Sequence, residues 1–173
     1  MVAHLPDASP DESVPDPDAV YQLAITLTRI RPPCWRRILV PSAATLGDLH
    51  EIIHIALEWN DDHLHLFTIG QRQLCDPDFD ADGDENEVTL GEAFRRSATL
   101  SYVYDLGDNW QHEITLETTR QRDPTTTYPS CTGGRGDSPV EDWIGDGPDS
   151  TPFDQATINN RLGNLNSGKR RVK

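Results

Sequence analysis

Basic residues, aromatics, cysteine and long apolar runs are all scarce in this chain, and each shortage closes off a class of function. Fifteen Lys and Arg stand against 29 Asp and Glu, which leaves a formal charge of -14 and a pI near 4.6 over 173 residues. A binder of phosphate backbones normally presents a basic face that releases counterions, so this balance argues against direct nucleic-acid binding. Arg29, Arg31, Arg36 and Arg37 form a local basic strip. On alternating strands such residues usually make a solvated face or pair with surplus carboxylates. The three cysteines, Cys34, Cys75 and Cys131, are widely spaced and include no CxxC, which indicates neither a disulfide framework nor a zinc ribbon. No run approaches the ~18 apolar residues that would span a bilayer, and the first residues lack the basic-then-apolar order of a signal peptide. The expected setting is therefore the cytoplasm, away from any membrane. Aromatics make up only 7% of the residues and the mean hydropathy is -0.61, as expected for one domain with loose ends.

What is present is concentrated in two blocks, Trp35 to Phe67 and Tyr104 to Leu116, which hold most of the histidine and patterned apolar residues. Residues 1–18 are rich in Pro, Asp and Ser without periodic apolar positions, and are expected to be a disordered acidic leader. The alternation Tyr21, Leu23, Ile25, Leu27 predicts a half-buried strand, and WRRILV, after the Pro32-Pro33 break, predicts its antiparallel partner. Thr45 and Asp48 have the form of a capping box, opening a helix with Leu46, Leu49, Ile53, Ala56 and Leu57 on one face and an end near Trp59 and Asn60. HLHLFTIG alternates as a strand with His63, His65 and Phe67 on one side. Thr89 and Glu92 form a second capping box and a short helix through Phe94. TLSYVYDLG and WQHEITLE then predict a hairpin whose turn, Gly107, Asp108 and Asn109, uses the positive φ open to Gly and Asn. Beyond Pro124 the composition is that of loops, with one helix around Phe153 to Leu162 and a frayed basic tail over 164–173. The order β-β-α-β-α-β-β over 19–163 predicts a single α+β domain: a mainly antiparallel sheet with helices on one face.

Several constellations are candidates for chemistry. His50-Glu51-Ile52-Ile53-His54 spells HExxH, which on a helix offers two imidazoles one turn apart to zinc and a Glu to a bound water. The extended zinc-protease pattern fails, because Leu57 stands where Gly is required and Asn60 where a third His belongs. On a helical projection His50 borders the apolar face and His54 lies further toward solvent. Asp78, Asp80 and Asp82 before Gly83 match the first half of a calcium loop, but Thr89 replaces its closing Glu. GRGDSP, residues 134–139, resembles an integrin-recognition hexapeptide, which carries little without a secretory signal. The strongest candidates for a binding surface are His63, His65, Asp105, Asp108, Trp110 and His112. If their strands are neighbours, His63, His65 and His112 converge, with Asp61, Asp105 or Asp108 at strand ends.

WRR, LHxxI, HLHxF and YDxGDxWxH recur in this order in the plasmid pRiA-type ORF-three-like proteins, which the chain resembles over about 21–143. The positions that carry the resemblance include Trp35, Arg36, Arg37, Leu49, His50, Trp59, Phe67, Tyr104, Gly107 and Trp110. Relatives often continue CxxGxxxCPPEDCGG; here Cys131 remains while the rest becomes Ser138 to Gly145. The resemblance implies association with plasmids and mobile elements, and it names a fold but no reaction or cofactor. Three functions follow as expectations: a non-enzymatic module for a small ligand or protein partner, a metal-dependent hydrolase built on the His/Asp cluster, and an accessory protein of mobile DNA that acts through a protein partner.

Overall fold

A computed structural model of the chain describes residues 14–169, with side chains to 166. The sheet is built from β1 (Ala19–Leu27), β2 (Cys34–Pro41), β3 (His65–Ile69), β4 (Arg72–Leu74), β5 (Thr99–Tyr104), β6 (Trp110–Gln121) and β7 (Ser130–Arg135). Its order is β4-β3-β5-β6-β1-β2-β7 with every pair antiparallel, the α+β arrangement expected from the alternation. Two further short strands, β8 (Ser138–Pro139) and β9 (Ser150–Thr151), pair separately. The helices are α1 (Leu46–Leu57), α2 (Leu90–Arg96) and α3 (Gln155–Lys169).

Registers show how one face becomes continuous. Leu74 pairs with Phe67, Phe67 with Tyr102, Tyr102 with His112, His112 with Leu27 and Leu27 with Cys34. Residues directly opposite one another share a face, so this row and its neighbours place Leu23, Ile25, Ile38, Tyr104 and Ile114 on the side that the helices cover. Apart from His112, these side chains belong to one core with Leu46, Leu49, Ile53, Ala56, Phe94, Ile158 and Leu162. A minor cluster of Val20, Leu39 and Tyr128 lies apart from it.

Both capping boxes form. Asp48 N donates to Thr45 Oγ1 at 3.1 Å while Thr45 N donates to the Asp48 carboxylate at 3.0 Å, and Thr89 with Glu92 repeats the exchange at 3.2 and 2.8 Å. The chain leaves α1 through Glu58, whose left-handed φ of 58° closes the last turn.

Elsewhere the structure departs from the sequence expectations. In the β5–β6 turn Asn109 is left-handed as expected (φ 58°), but the second left-handed residue is Asp105 (φ 56°) and not Gly107. Asp105 Oδ1 accepts from Gly107 N at 2.9 Å and Asp108 N at 3.2 Å, an internal bonding pattern that makes αL tolerable for Asp. The Gly-rich stretch after Pro124 contributes strand β7. A Cβ at Gly134 would sit 2.9 Å from Trp35 O and from the Phe153 ring, so glycine here permits close strand approach and does not mark a loop. Helix α3 continues past Leu162 to Lys169, so the expected tail begins inside it; 170–173 and residues 1–13 of the expected leader lie outside the described residues.

The basic strip does not form as a surface. Arg37 makes a two-pronged pair with Glu117 at 2.7 and 2.9 Å, but Arg36 is turned inward and is only 1% exposed, because it shares a strand face with Cys34 and Ile38. Its Nε donates to Ala56 O at 3.0 Å. Nη1 reaches Trp35 O, Arg135 O and Gly136 O at 2.9, 3.1 and 3.0 Å, and Nη2 reaches Ser138 Oγ at 2.9 Å. The guanidinium lies 4.4 Å from the Phe153 ring centroid. The GRGDSP segment is thus held internally by Arg36.

Arg36→Ala is expected to destabilise the fold by on the order of 3 kcal/mol, since several acceptors are left buried and unpaired, and Arg36→Lys to recover less than half because an ammonium cannot span the fork. Denaturant midpoints check both; a loss under about 1 kcal/mol for alanine contradicts the assignment. His112, 2% exposed with Nδ1 3.3 Å from Tyr102 O, is pushed down to about 4 by burial. Because the folded pKa lies below the ordinary value of 6.5, stability from this group is complete above about 6.5 and declines as pH falls toward 4. His112→Gln should flatten that acid limb between pH 6.5 and 4.5, read from unfolding midpoints.

Candidate functional site

Helix α1 lays His50 and His54, one turn apart, against the β5 tyrosines. A single hydroxyl serves both rings: Tyr102 Oη is 2.8 Å from His50 Nδ1 and 3.3 Å from His54 Nε2. The opposite nitrogens turn toward one carboxylate, with Asp61 Oδ1 2.9 Å from His50 Nε2 and 3.4 Å from His54 Nδ1. His54 Nδ1 is buried and has no hydrogen-bond partner. The ring of His65 stacks on His50 with centroids 3.5 Å apart, and its Nε2 meets the buried Glu85 carboxylate at 2.6 Å. Burial, reinforced by the neighbouring His65, holds His50 down at about 4. Burial and then the imidazoles of His50, His65 and His112 hold His54 at about 3. Both rings are therefore neutral near pH 7, each with one N–H and one lone pair, and the tautomer decides whether the nitrogen facing Asp61 donates to the carboxylate or presents its lone pair.

The projection that set His54 toward solvent is overturned: the residue is 4% exposed. A projection records the angle to the sheet, whereas here a wall rises on the flank of α1. Tyr104 meets the His54 ring edge to face at 4.5 Å and is itself stacked on Trp59 at 5.0 Å.

His63 belongs to a neighbouring group, with Nε2 2.7 Å from Asp142 Oδ2 and Nδ1 3.7 Å from Asp105 Oδ2. The Asp142 hydrogen bond, with the Asp105 and Glu141 carboxylates nearby, raises its pKa above the ordinary imidazole value. His63 and His65 thus come to the same cleft as His50. His112 does not join them; it sits on the sheet with its ring against Tyr102 at 5.2 Å and Trp59 at 5.4 Å. Trp110 packs at 6.1 Å on Trp59, with Nε1 buried and unpartnered. Asp108 is exposed at the hairpin tip. Asp78, Asp80 and Asp82 are exposed too, and among the described residues they form no convergent ligand group; Asp82 accepts instead from Gln73 N at 2.8 Å.

The loop that carries Asp61 is fastened on both sides. Asn60 N donates to Glu141 Oε2 at 2.6 Å, Asp62 N donates to Tyr104 Oη at 3.1 Å, and the Tyr104 hydroxyl donates to Glu141 Oε1. Trp59 Nε1 adds a bond to Pro139 O at 2.8 Å. The segment Pro139–Asp142 therefore works as a strap across the site. Asp61 itself takes a left-handed φ of 66°.

These groups border an open cleft of about 480 Å³. Asp48, Glu51, Asp61, Asp76 and Glu85 supply carboxylates, His50, His63 and His65 supply imidazoles, and half-exposed Leu64 and Phe79 form apolar lips. Sequence reasoning did not find Tyr102, Glu85, Glu141 or Asp142. Tyr102 was within reach, since it alternates with Tyr104 on the face of His112; the three acids come from a short 3-10 turn and a strap that no periodicity marks.

The described residues contain no helix long and apolar enough to cross a membrane. In the solved structure of a protein of unknown function, MM3350 from Methanosarcina mazei Go1, the fold recurs with a TM-score of 0.66 and 33% identity, covering 72% of this chain and 74% of that one. The uncharacterized protein y4hQ of Sinorhizobium fredii is 35% identical over 106 residues, 58% of this chain. The chain spans about half the length of that relative, 55% of it. Residues 19–149 match the plasmid pRiA4b ORF-3-like proteins, a span that includes the seven-stranded sheet, α1, the cleft and the strap, and the chain belongs to that family.

Proposed function

We propose that this member of the plasmid ORF-3-like family is a binding module that takes a small cationic ligand in the histidine-lined cleft. The observation that carries the reading is electrostatic: the carboxylates of Asp61, Asp76 and Glu85 line a cleft of about 480 Å³, and among the described residues no Lys or Arg lines it. A cleft walled by one sign of charge focuses its field, so it concentrates cations and repels phosphate and carboxylate compounds. Leu64 and Phe79, 44% and 49% exposed, give the ligand an apolar surface at the mouth. Small sites commonly join apolar walls to a few convergent polar groups in this way.

Amide chemical-shift mapping with benzylamine and putrescine, against acetate and phenyl phosphate, tests the reading. The amines are expected to give saturable shifts at Leu64, His65 and Phe79, and the anions none. Asp76→Asn should weaken the amines by about two- to threefold, the scale of one partly screened charge contact. Equal perturbation by anions, or no cleft response to either amine, sinks it.

A further inference from the structure

We propose a site for a divalent transition-metal ion where His50 Nε2, His54 Nδ1 and the Asp61 carboxylate meet, beside the cleft that His50 and Asp61 line. The proposal rests on the reading of the cleft as the binding site and gives its innermost cation a chemical identity.

Four observations converge on it. The first is orientation. Tyr102 Oη faces His50 Nδ1 and His54 Nε2, and if each donates its N–H to that oxygen, the bare lone pairs are on His50 Nε2 and His54 Nδ1. Those two atoms are the ones turned toward Asp61 Oδ1. A hydrogen bond at the far nitrogen is the usual means by which a protein fixes the tautomer of a metal-binding histidine.

The second is an unmet demand. His54 is 4% exposed, yet its Nδ1 has no hydrogen-bond partner and stops 3.4 Å from Asp61 Oδ1. Leaving a buried polar atom unpaired costs roughly 1–3 kcal/mol. A cation between that nitrogen and the carboxylate removes the deficit.

The third is size. Ligands about 2.05 Å from a tetrahedral ion lie about 3.3 Å from each other. The His54 Nδ1 to Asp61 Oδ1 separation of 3.4 Å matches that edge, and the His50 Nε2 separation of 2.9 Å needs only a few tenths of an ångström of opening. His50, His54 and Asp61 form one of two groups of potential ligands whose atoms lie within 4.8 Å of each other among the described residues.

The fourth is construction. Asp61 is the most exposed of the three, but the backbone on either side of it is tied down, by Glu141 at Asn60 N and by Tyr104 at Asp62 N. Glu141 and Tyr104 are thus positioning residues for the carboxylate. The extended protease pattern had looked for a third ligand at Asn60; the left-handed turn at Glu58 brings Asp61 back to the histidines instead. Two imidazoles and one carboxylate favour zinc, cobalt, nickel or ferrous ion over calcium or magnesium, and the side facing the cleft leaves a fourth position for a ligand.

The test is equilibrium dialysis and calorimetry of the full chain with Zn²⁺ and Co²⁺. One ion per chain is expected, with visible Co²⁺ bands of four-coordinate intensity. Asp61→Asn, at an exposed position that leaves the core untouched, and His54→Ala should each weaken binding by at least about 100-fold, and Glu141→Ala by about tenfold. In the Asp61→Asn background Glu141→Ala should cost nothing more, which separates positioning from general loosening of the fold. Asp78→Asn with Asp80→Asn should leave affinity unchanged. No bound ion at micromolar concentration, or affinity equal to wild type in both Asp61→Asn and His54→Ala, overturns the proposal. Amine binding that persists without zinc binding removes the metal alone; zinc binding with no amine response removes the wider cleft reading and leaves the metal.

Discussion

A guanidinium bonded entirely to neutral acceptors is the constraint on which the rest of this structure depends. Arg36 donates to three backbone carbonyls of β2 and the β7–β8 segment, to the Ser138 hydroxyl, and to Ala56 at the end of α1. The last four carbonyls of a helix have no partner within it and carry the negative end of its dipole, so a cationic N–H there satisfies an acceptor and a field together. One side chain therefore fixes where α1 stops, how close β7 approaches β2, and where the chain turns toward β8. Phe153, packed on the guanidinium, draws the approach to α3 into the same knot.

The site is downstream of that knot. With the end of α1 fixed, Glu58 closes the helix and the loop 59–63 starts from a set point. The strap that follows Ser138 then returns across this loop, where Trp59, Asn60 and His63 meet Pro139, Glu141 and Asp142. Both ends of the cleft wall, the helix that carries the histidines and the strap that holds Asp61, are thus referred to Arg36. Edge strand β7 is steadied separately by Asn159 of α3, whose amide bonds Cys131 N and O at 2.7 and 2.9 Å.

Much of this was legible where side chains obey a local period. The faces of β1 and β3, the two capping boxes and the β5–β6 hairpin follow from alternation and from the reciprocal bonds that Thr with Asp or Glu can make. What was not legible depends on contacts distant in sequence. Arg36 reads as surface by residue type, and only its register opposite Ile25 between two core positions shows that it turns inward. Strand β7 reads as loop because the local meaning of Gly-Gly is flexibility, whereas Gly134 answers to a clash with Trp35 and Phe153. Glu85, Glu141 and Asp142 reach the site from irregular segments that carry no pattern. The HEIIH helix shows the same limit, since burial of His54 depends on the Tyr104–Trp59 stack beside it.

Histidines in an acidic cleft would ordinarily be protonated, because each carboxylate nearby favours the cation. Here the opposing effects can be ranked at His50. Glu85 and Asp76 pull its pKa upward, but burial is the largest influence and the stacked His65 adds to it, and the balance falls at about 4. Crowding accounts for part of this: His50 lies 3.5 Å from the His65 ring centroid and 4.2 Å from that of His54, so adding protons to this group sets like charges almost in contact. Carboxylates border the mouth of the cleft, while His50 on its wall and His54 behind it remain neutral. Acidity at the mouth and neutrality at the wall are separate consequences of one gradient in burial, from exposed Asp61 to His54 beneath it.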